Sequence, residues 1–392
     1  MLKDEDNVII PANKYGYENE DLTVPDSDQE TNSLQKPFDP KKINVTANSD
    51  VMYNIIARLK GNRINMAPDF QRNAGIWSRK AKTRLIESLL IKLPLPAFYF
   101  DTTNDEYWVV VDGLQRLTTI KEFVIDNAWP LLAEDLEFLG DICGGKYYKE
   151  LSASFQGNIN ESRVMICQIM AGTPARVKFD IFRRINTGGQ PLNSQEIRHA
   201  LNPGKIIEFL KELVSLDVFK KATCDNFDDK RMIDRECALR FLAFYENDPQ
   251  SYEHPDFDRF LNDYMSSFNE RCSSDSINLA QLNNAFATAM ERASILFEND
   301  AFRKRYDLNA TRHPLNKSLF EAWSVNLAKL TDGDFLALEE RKQELKERFV
   351  ELMKGDKSFD ASVTQGTASI SRVHERFGKI HTLIREVIDH AQ

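Results

Sequence analysis

The chain has 392 residues, of which 42% are hydrophobic and 10% aromatic, so it can bury one full-sized core or two linked cores. Its five cysteines are widely spaced and include no Cys-x-x-Cys pair, which excludes a small disulfide-stapled scaffold and a zinc ribbon. No run approaches the roughly 18 apolar residues of a membrane span, and the acidic N-terminus does not resemble a signal peptide. We therefore expect a cytoplasmic protein with reduced thiols and no membrane partner.

The net charge of −9 is concentrated at the N-terminus. Residues 1–40 contain ten acidic and three basic residues and lack hydrophobic periodicity, which predicts a disordered acidic leader. Residues 51–121 contain eleven basic and six acidic residues. This local surplus indicates either a surface for DNA phosphates or an ordinary solvated helix face. The candidate DNA-binding residues are Arg79, Lys80, Lys82 and Arg84.

Residues 41–205 carry the pattern of a small mixed α/β domain. Ser49 and Asp50 are expected to cap a first helix, and apolar residues at helical spacing predict a second helix from Lys80 to Lys92. Short runs rich in β-branched and aromatic residues predict three strands. These runs are residues 97–100, 107–111 and 163–170.

Residues 206–392 have a helical pattern almost throughout. Two stretches each place five apolar residues on one helix face. They are Leu282, Phe286, Met290, Ala293 and Phe297, and then Val373, Phe377, Ile380, Ile384 and Val387. We therefore predict an α+β chain with a leader at 1–40, a mixed N-terminal domain at 41–205 and an all-helical domain at 206–392.

The sharpest local feature is WVVVDGLQRLTTIKEFV at 108–124, where an apolar strand passes through Asp112 and Gly113 directly into an amphipathic helix. Free amides at a helix N-terminus, a glycine and a bidentate arginine together outline an anion site. Asp112 is expected to cap the helix or, with a nucleotide present, to help hold Mg²⁺. The alternative is an ordinary capped turn with Arg116 on the surface. In the phosphate-binding role, Arg116 is expected to be dispensable to the core.

A second segment, FDIFRRINTGGQPLNSQEIRHAL at 179–201, predicts one helix ending near Asn186 and another starting with Asn193 as its N-cap and Glu196 as the third residue. The two glycines between them either end the first helix or form a loop that closes on a ligand. The arginines available to an anion there are Arg183, Arg184 and Arg198.

Two further segments carry weaker signals. PDFQRNAGIWS at 68–78 places Arg72 beside a turn, and GDICGGKY at 140–147 contains the Gly-x4-Gly-Lys opening of a P-loop. Tyr147 stands where a P-loop has the Ser or Thr that binds Mg²⁺. The second segment is therefore a poor P-loop candidate.

Together, the segments at 68–78, 108–124 and 179–201 resemble the N-terminal domain of the GmrSD-type restriction family over about residues 45–205. Two later segments, at 312–325 and 367–377, look like the tail of stand-alone short members. The resemblance implies a fold similar to ParB and sulfiredoxin, with nucleotide hydrolysis or nuclease activity. It also implies that residues 140–147 form the family's Gly-Lys-Tyr turn.

The family's signature, Asp-Gly-Gln-Gln-Arg, falls on Asp112, Gly113, Gln115 and Arg116, with Leu114 in place of the first glutamine. If that glutamine orients an attacking water, its replacement affects hydrolysis and spares binding. The implied catalytic residues are Asp112, Gln115 and Arg116, and Asp112 is also the implied metal ligand. The implied nucleotide-binding residues are Arg72, Gly113, Arg116, Thr118, Arg183, Asn186, Thr187, Gly188 and Gly189.

The sequence thus predicts a nucleotide-binding, NTP-hydrolysing, DNA-associated switch of a bacterial anti-phage or restriction-type defence system. Its cofactors are a nucleoside triphosphate and Mg²⁺, and its effector is expected in another chain, such as a partner nuclease or another defence protein. One alternative is a non-enzymatic module that binds DNA or a partner. Another is a DNA nuclease that uses the ParB-like fold.

Overall fold

The computed structural model describes residues 43–66, 77–104, 106–185, 193–225, 231–254 and 256–389. These residues belong to two compact units, and the boundary along the chain lies between Leu201 and Asn202. We call them the N-terminal unit and the helical unit. The first is mixed and the second is helical, which confirms the predicted α+β class. Within these ranges no helix has the length and hydropathy that crossing a membrane requires.

One mixed sheet of five strands organises the described part of the N-terminal unit. Its order is β1-β5-β3-β4-β2, with β1 antiparallel to β5, β5 parallel to β3, β3 antiparallel to β4 and β4 parallel to β2. The three predicted strands are β3, β4 and β5. The other two were not predicted, because β1 is largely polar and β2 has only two residues. The strands are β1 (Val45–Val51), β2 (Ile64–Asn65), β3 (Phe98–Asp101), β4 (Trp108–Asp112) and β5 (Arg163–Ile169).

The core of this unit lies between one face of the sheet and several helices. Phe98, Phe100, Val110 and Ile166 from the sheet join buried apolar residues of helices α1, α2, α3 and α5, and α6 contacts β4. The helices are α1 (Met52–Lys60), α2 (Arg79–Leu90), α3 (Leu114–Ile120, continued by a π-helical turn, Lys121–Ile125), α4 (Gly140–Cys143), α5 (Ala153–Glu161), α6 (Ala175–Ile185) and α7 (Ser194–Leu201).

Both predicted early helices are present, but the predicted cap of the first is wrong. Ser49 and Asp50 belong to β1, and Asp50 Oδ1 accepts a hydrogen bond from the amide of Val51 at 2.8 Å. Helix α1 begins at Met52 with no side-chain cap. Ser78, which was not predicted as a cap, fills that role for α2, because its Oγ accepts from the amide of Ala81 at 3.3 Å.

The segment from Gly140 to Tyr147 does not have the geometry of a P-loop. Its short helix, α4, precedes the Gly144-Gly145 pair instead of following the lysine, as a P-loop requires. The amide of Gly145, which has a φ of 75°, donates to the carbonyl of Leu131 at 2.8 Å. The segment is therefore a packed turn.

The helical unit contains no strand in its described part, apart from one isolated bridge between Arg303 and Leu315. All ten residues of the two predicted apolar helix faces are buried. Its α-helices are α8 (Lys205–Ser215), α9 (Asp217–Thr223), α10 (Ile233–Glu246), α11 (Phe257–Ser273), α12 (Leu279–Phe297), α13 (Lys317–Ala328), α14 (Asp332–Glu340), α15 (Lys342–Gly355), α16 (Lys357–Ser362) and α17 (Ile370–Asp389).

A buried ionic network crosses the core of the helical unit. The carboxylate of Glu321, on α13, accepts from Arg376 Nε at 2.8 Å and from Arg240 Nη1 at 3.3 Å. Arg240 also pairs with Glu236, whose Oε1 lies 3.1 Å from Lys317 Nζ. The side chain of Glu321 is fully buried. Ion pairs between buried side chains therefore link three helices, α10, α13 and α17.

Replacing Glu321 with Ala is expected to lower the free energy of unfolding of the helical unit by about 3–5 kcal/mol, because the buried guanidinium of Arg376 loses its counter-charge and that of Arg240 keeps only Glu236. Glu340→Ala, at an exposed glutamate on α14, is the control and is expected to change stability by less than about 0.5 kcal/mol. Urea unfolding of both variants measures the difference. Equal stability of the two would show that the network contributes little.

Candidate functional site

The turn after β4 is built on Gly113. Its φ of 98° lies in the left-handed region that favours glycine. A Cβ at this position would lie 2.5 Å from Cδ1 of Phe98, so a larger residue would collide with the sheet. Gly113 therefore lets the chain pass from the end of β4 directly into α3 while its backbone lies against Phe98.

Arg116 lies in the first helical turn of α3 and is buried next to the connection between β4 and α3. Its Nη2 donates to Asp112 Oδ2 at 2.9 Å and to the carbonyl of Ala97 at 3.0 Å, and its Nη1 donates to the carbonyl of Pro96. The guanidinium carbon lies 4.5 Å from the centre of the Phe98 ring. Arg116 thus joins the chain entering β3 to the residue that ends β4.

The expectation that Arg116 is dispensable to the core is wrong. Only 8% of the residue is exposed, and its hydrogen bonds satisfy backbone carbonyls that precede β3. Burial lowers the pKa of Arg116, and the neighbouring Asp112 opposes that shift. A contact between Arg116 and a phosphate remains a prediction. In the structure the guanidinium donates hydrogen bonds to Asp112 and to two backbone carbonyls.

Asp112 is the more open member of the pair. Its side chain is 25% exposed, and Oδ1 has no hydrogen bond to any residue that the structure describes. Tyr99 on β3 stands in register between Asp112 and Cys167. Burial raises the pKa of Tyr99, with Cys167 and then Asp112 adding to the effect. A carboxylate oxygen and a phenol therefore share one end of the sheet.

Tyr99 was missed by the sequence reasoning. The alternation in the sequence AFYF contained the signal, because Phe98 and Phe100 are both fully buried and the residue between them must point to the other face of the sheet.

Two other predicted residues, Gln115 and Thr118, lie on α3. Gln115 is partly exposed, and the hydroxyl of Thr119 donates back to its carbonyl at 2.7 Å. Thr118 is 8% exposed, and its hydroxyl has no hydrogen-bond partner in the described part of the chain. A buried hydroxyl without a partner costs free energy. Thr118 is thus a buried residue of α3 with unused hydrogen-bonding capacity.

The capping box before α7 is confirmed. Glu196 donates its amide to Asn193 Oδ1 at 2.8 Å, and the amide of Asn193 donates to Glu196 Oε2 at 2.7 Å. Helix α7 buries four polar residues in its eight positions, which are Gln195, Glu196, Arg198 and His199. The Nε of Arg198 donates to Gln195 Oε1 at 2.9 Å. Arg198 therefore lies inside the protein, although the sequence suggested an accessible anion donor.

Several predicted site residues are not brought into this arrangement by the structure. The side chain of Arg183 is 59% exposed and contacts Asp180 on its own helix at 3.5 Å, and Arg184 is also exposed. The remaining nucleotide-binding candidates lie outside the described residues. They are Arg72, Asn186, Thr187, Gly188 and Gly189.

Three of the four candidate DNA-binding residues on α2 have partners within the chain. Arg79 stacks over the Trp129 ring at 4.5 Å, Lys82 pairs with Glu122 at 2.7 Å, and Arg84 pairs with Glu137 at 2.7 Å. The Arg84 pair is about half exposed and contributes little to stability. Lys80 is exposed and has no charged partner among the described residues. DNA binding by this cluster remains a prediction.

Arg116→Ala is expected to destabilise the N-terminal unit by about 3–5 kcal/mol, because it leaves a half-buried carboxylate and two backbone carbonyls without a donor. The control is Arg183→Ala, at an exposed arginine, with an expected change below about 0.5 kcal/mol. Thermal or urea unfolding measures both. If Arg116→Ala unfolds like the control, the guanidinium does not hold this turn together.

Residues 54–202 match the family model described as GmrSD restriction endonuclease, N-terminal domain. No curated protein and no solved structure matched the chain. The matched range runs from within α1 to the end of α7 and includes the Gly113 turn, Arg116 and the capping box. We conclude that residues 54–202 of this chain are an N-terminal domain of the GmrSD restriction endonuclease family.

Proposed function

We propose that the chain is a nucleotide-dependent switch of a restriction-type defence system, which binds and hydrolyses a nucleoside triphosphate and acts on DNA through an effector in another chain. The family match supports a role in phage defence and an involvement with DNA. The sequence near the Gly113 turn supports the nucleotide part, because a strand that leads through a tight glycine turn into a helix suits an anion.

The proposal rests on the hydrogen bonding of the two carboxylate oxygens of Asp112. Arg116 holds one oxygen of this carboxylate at 2.9 Å, and the other oxygen has no hydrogen bond to a described residue. The pair is arranged so that Arg116 fixes the side chain while Oδ1 stays available. A carboxylate oriented in this way is suited to a ligand that brings its own positive charge.

Mg²⁺ fits that requirement. Protein-bound Mg²⁺ is commonly held by one or two carboxylates, with water and substrate phosphates completing the octahedron. One open carboxylate oxygen is therefore sufficient, although the described residues contain no cluster of three potential metal-binding side chains. The ion would be held by Asp112 and would neutralise charge on the phosphates.

The remaining groups have positioning roles in the proposal. Phosphoryl transfer depends mainly on alignment and on charge neutralisation. Arg116 acts through Asp112, because its bonds to Pro96 and Ala97 fix where the carboxylate lies. Gln115 and Thr118 lie on the same short helix, and the hydroxyl of Thr118 has no partner among the described residues.

The wild-type chain, tested with Mg²⁺ and ATP, GTP, CTP or UTP in the presence and absence of DNA, is expected to be thermally stabilised by at least one nucleotide and to release phosphate from it. At a nucleotide concentration of 100 Kd the stabilisation is about 2.7 kcal/mol. Asp112→Asn keeps the shape and an acceptor for Arg116 but loses the charge. It is expected to lose most of the Mg²⁺-dependent stabilisation.

Asp126→Asn is the matched control. Asp126 also pairs with a basic residue, Lys121, at 2.7 Å, but on the surface beyond α3, so its loss is expected to leave nucleotide binding unchanged. No response of the wild type to any of the four nucleotides would contradict the proposal, as would equal responses of the two variants.

A second candidate is a binding module without turnover, and Leu114 is the observation that favours it. Leu114 packs against the apolar core where the family signature has glutamine, so the chain lacks that side chain as a partner for water. In this case the wild type binds nucleotide and releases no phosphate.

Leu114→Gln distinguishes the two candidates. If Leu114 has removed hydrolysis, the variant is expected to gain at least ten-fold in phosphate release, which corresponds to about 1.4 kcal/mol in the barrier, with nucleotide affinity unchanged. Leu114→Met, which keeps the apolar contact, is the control. Ordinary turnover in the wild type would exclude the second candidate.

A further inference from the structure

The first strand of the sheet has an open edge. β1 pairs with β5 through seven residues and has no strand on its other side in the described sheet. Residues 45–49 are exposed, and the two that follow are only partly buried. Edge strands carry unpaired backbone groups that can add a further strand.

The hydrogen bonds to β5 show which residues face outward. The amide of Met170 donates to the carbonyl of Asn44 at 2.8 Å, and the amide of Met52 donates to the carbonyl of Ser162 at 2.9 Å. In an antiparallel ladder the residues alternate between bonding to the neighbouring strand and pointing away from it. Because Asn44 and Met52 mark the bonded positions, the residues that point outward are Val45, Ala47, Ser49 and Val51.

Three of these residues keep free backbone groups. The amide of Val51 donates to its neighbour Asp50, but the amides and carbonyls of Val45, Ala47 and Ser49 have no hydrogen bond to any described residue. Proteins usually protect such an edge with proline, an inward charge or a bulge. The segment from Val45 to Ser49 contains no proline and no charge, and its register with β5 is unbroken.

We propose that this edge binds the same edge of a second copy of the chain, antiparallel and with Ala47 opposite Ala47, to form one continuous sheet across a two-fold axis. In this register Val45 lies opposite Ser49, so each of the three outward residues meets another outward residue. Six backbone hydrogen bonds form. No other occupant is required, because the edge is complementary to itself.

Charge explains both the occupant and the direction. The paired segments are uncharged, so two copies do not repel each other at the seam. The acidic residues 1–40, with ten acidic and three basic residues, precede β1. Antiparallel pairing places the two Ile43 residues eight positions apart along the strands, or roughly 26 Å. That separation exceeds the Debye length of about 8 Å at physiological salt, whereas parallel pairing would bring the two acidic segments together.

The test uses opposite charges at Ala47 in the full chain. The wild type is expected to sediment as a dimer at micromolar concentrations. Ala47→Glu and Ala47→Lys each place like charges opposite one another and are expected to weaken the dimer roughly ten-fold to a hundred-fold. An equimolar mixture of the two is expected to restore it, because Glu then faces Lys. Ala57→Glu and Ala57→Lys, at an exposed alanine on α1, are matched controls that leave the dimer unchanged.

A wild type that is monomeric at these concentrations would overturn the proposal, and so would dimers that persist in both Ala47 variants. Variants that are monomeric alone and in mixture would overturn the register.

Circular dichroism confirms that each variant is folded. If a charged variant does not fold, Ala47→Cys tests the same pairing by crosslinking. The Cα atoms of a hydrogen-bonded antiparallel pair lie about 5.5 Å apart, within disulfide range. Oxidation is then expected to crosslink that variant and not the wild type, and an uncrosslinked variant would overturn the proposal.

Discussion

The N-terminal unit depends on one buried guanidinium. Arg116 reaches from the first turn of α3 to the carbonyls that precede β3 and to the carboxylate that ends β4. These contacts explain the residues around it. Gly113 must be glycine because its backbone lies against Phe98, and Phe98 also forms the surface on which the guanidinium rests. The position of Asp112 is therefore fixed by the same packing that holds the sheet together.

This arrangement changes how the arginine of the signature is understood. An arginine beside a helix N-terminus suggests a direct phosphate donor, and the sequence contains nothing that shows whether it is buried. The structure instead gives Arg116 three acceptors within the chain. The second oxygen of Asp112 has no hydrogen bond to a described residue, and we propose it as the group that meets a ligand. An arginine that orients a carboxylate and an arginine that binds an anion have the same local sequence and differ only in their three-dimensional surroundings.

Features set by local sequence were predictable, and those set by distant partners were not. The capping box of Asn193 and Glu196 depends on residues three positions apart, and it was found. Strand β1 was missed because its polar residues form a strand only through pairing with β5, more than a hundred residues later. In the helical unit, segments 312–325 and 367–377 stood out in the sequence. They supply Glu321 and Arg376 to a buried ionic network, which periodicity alone does not reveal.

We propose above all that Asp112, oriented by Arg116, presents its free oxygen to a nucleotide-bound cation. The most direct measurement is a crystal structure of the chain with Mg²⁺ and a non-hydrolysable nucleoside triphosphate. We expect Asp112 Oδ1 to coordinate the ion while Arg116 keeps its hydrogen bonds to the carbonyls of Pro96 and Ala97. A phosphate bound by an Arg116 that has left these carbonyls, or a nucleotide bound away from the Gly113 turn, would contradict it.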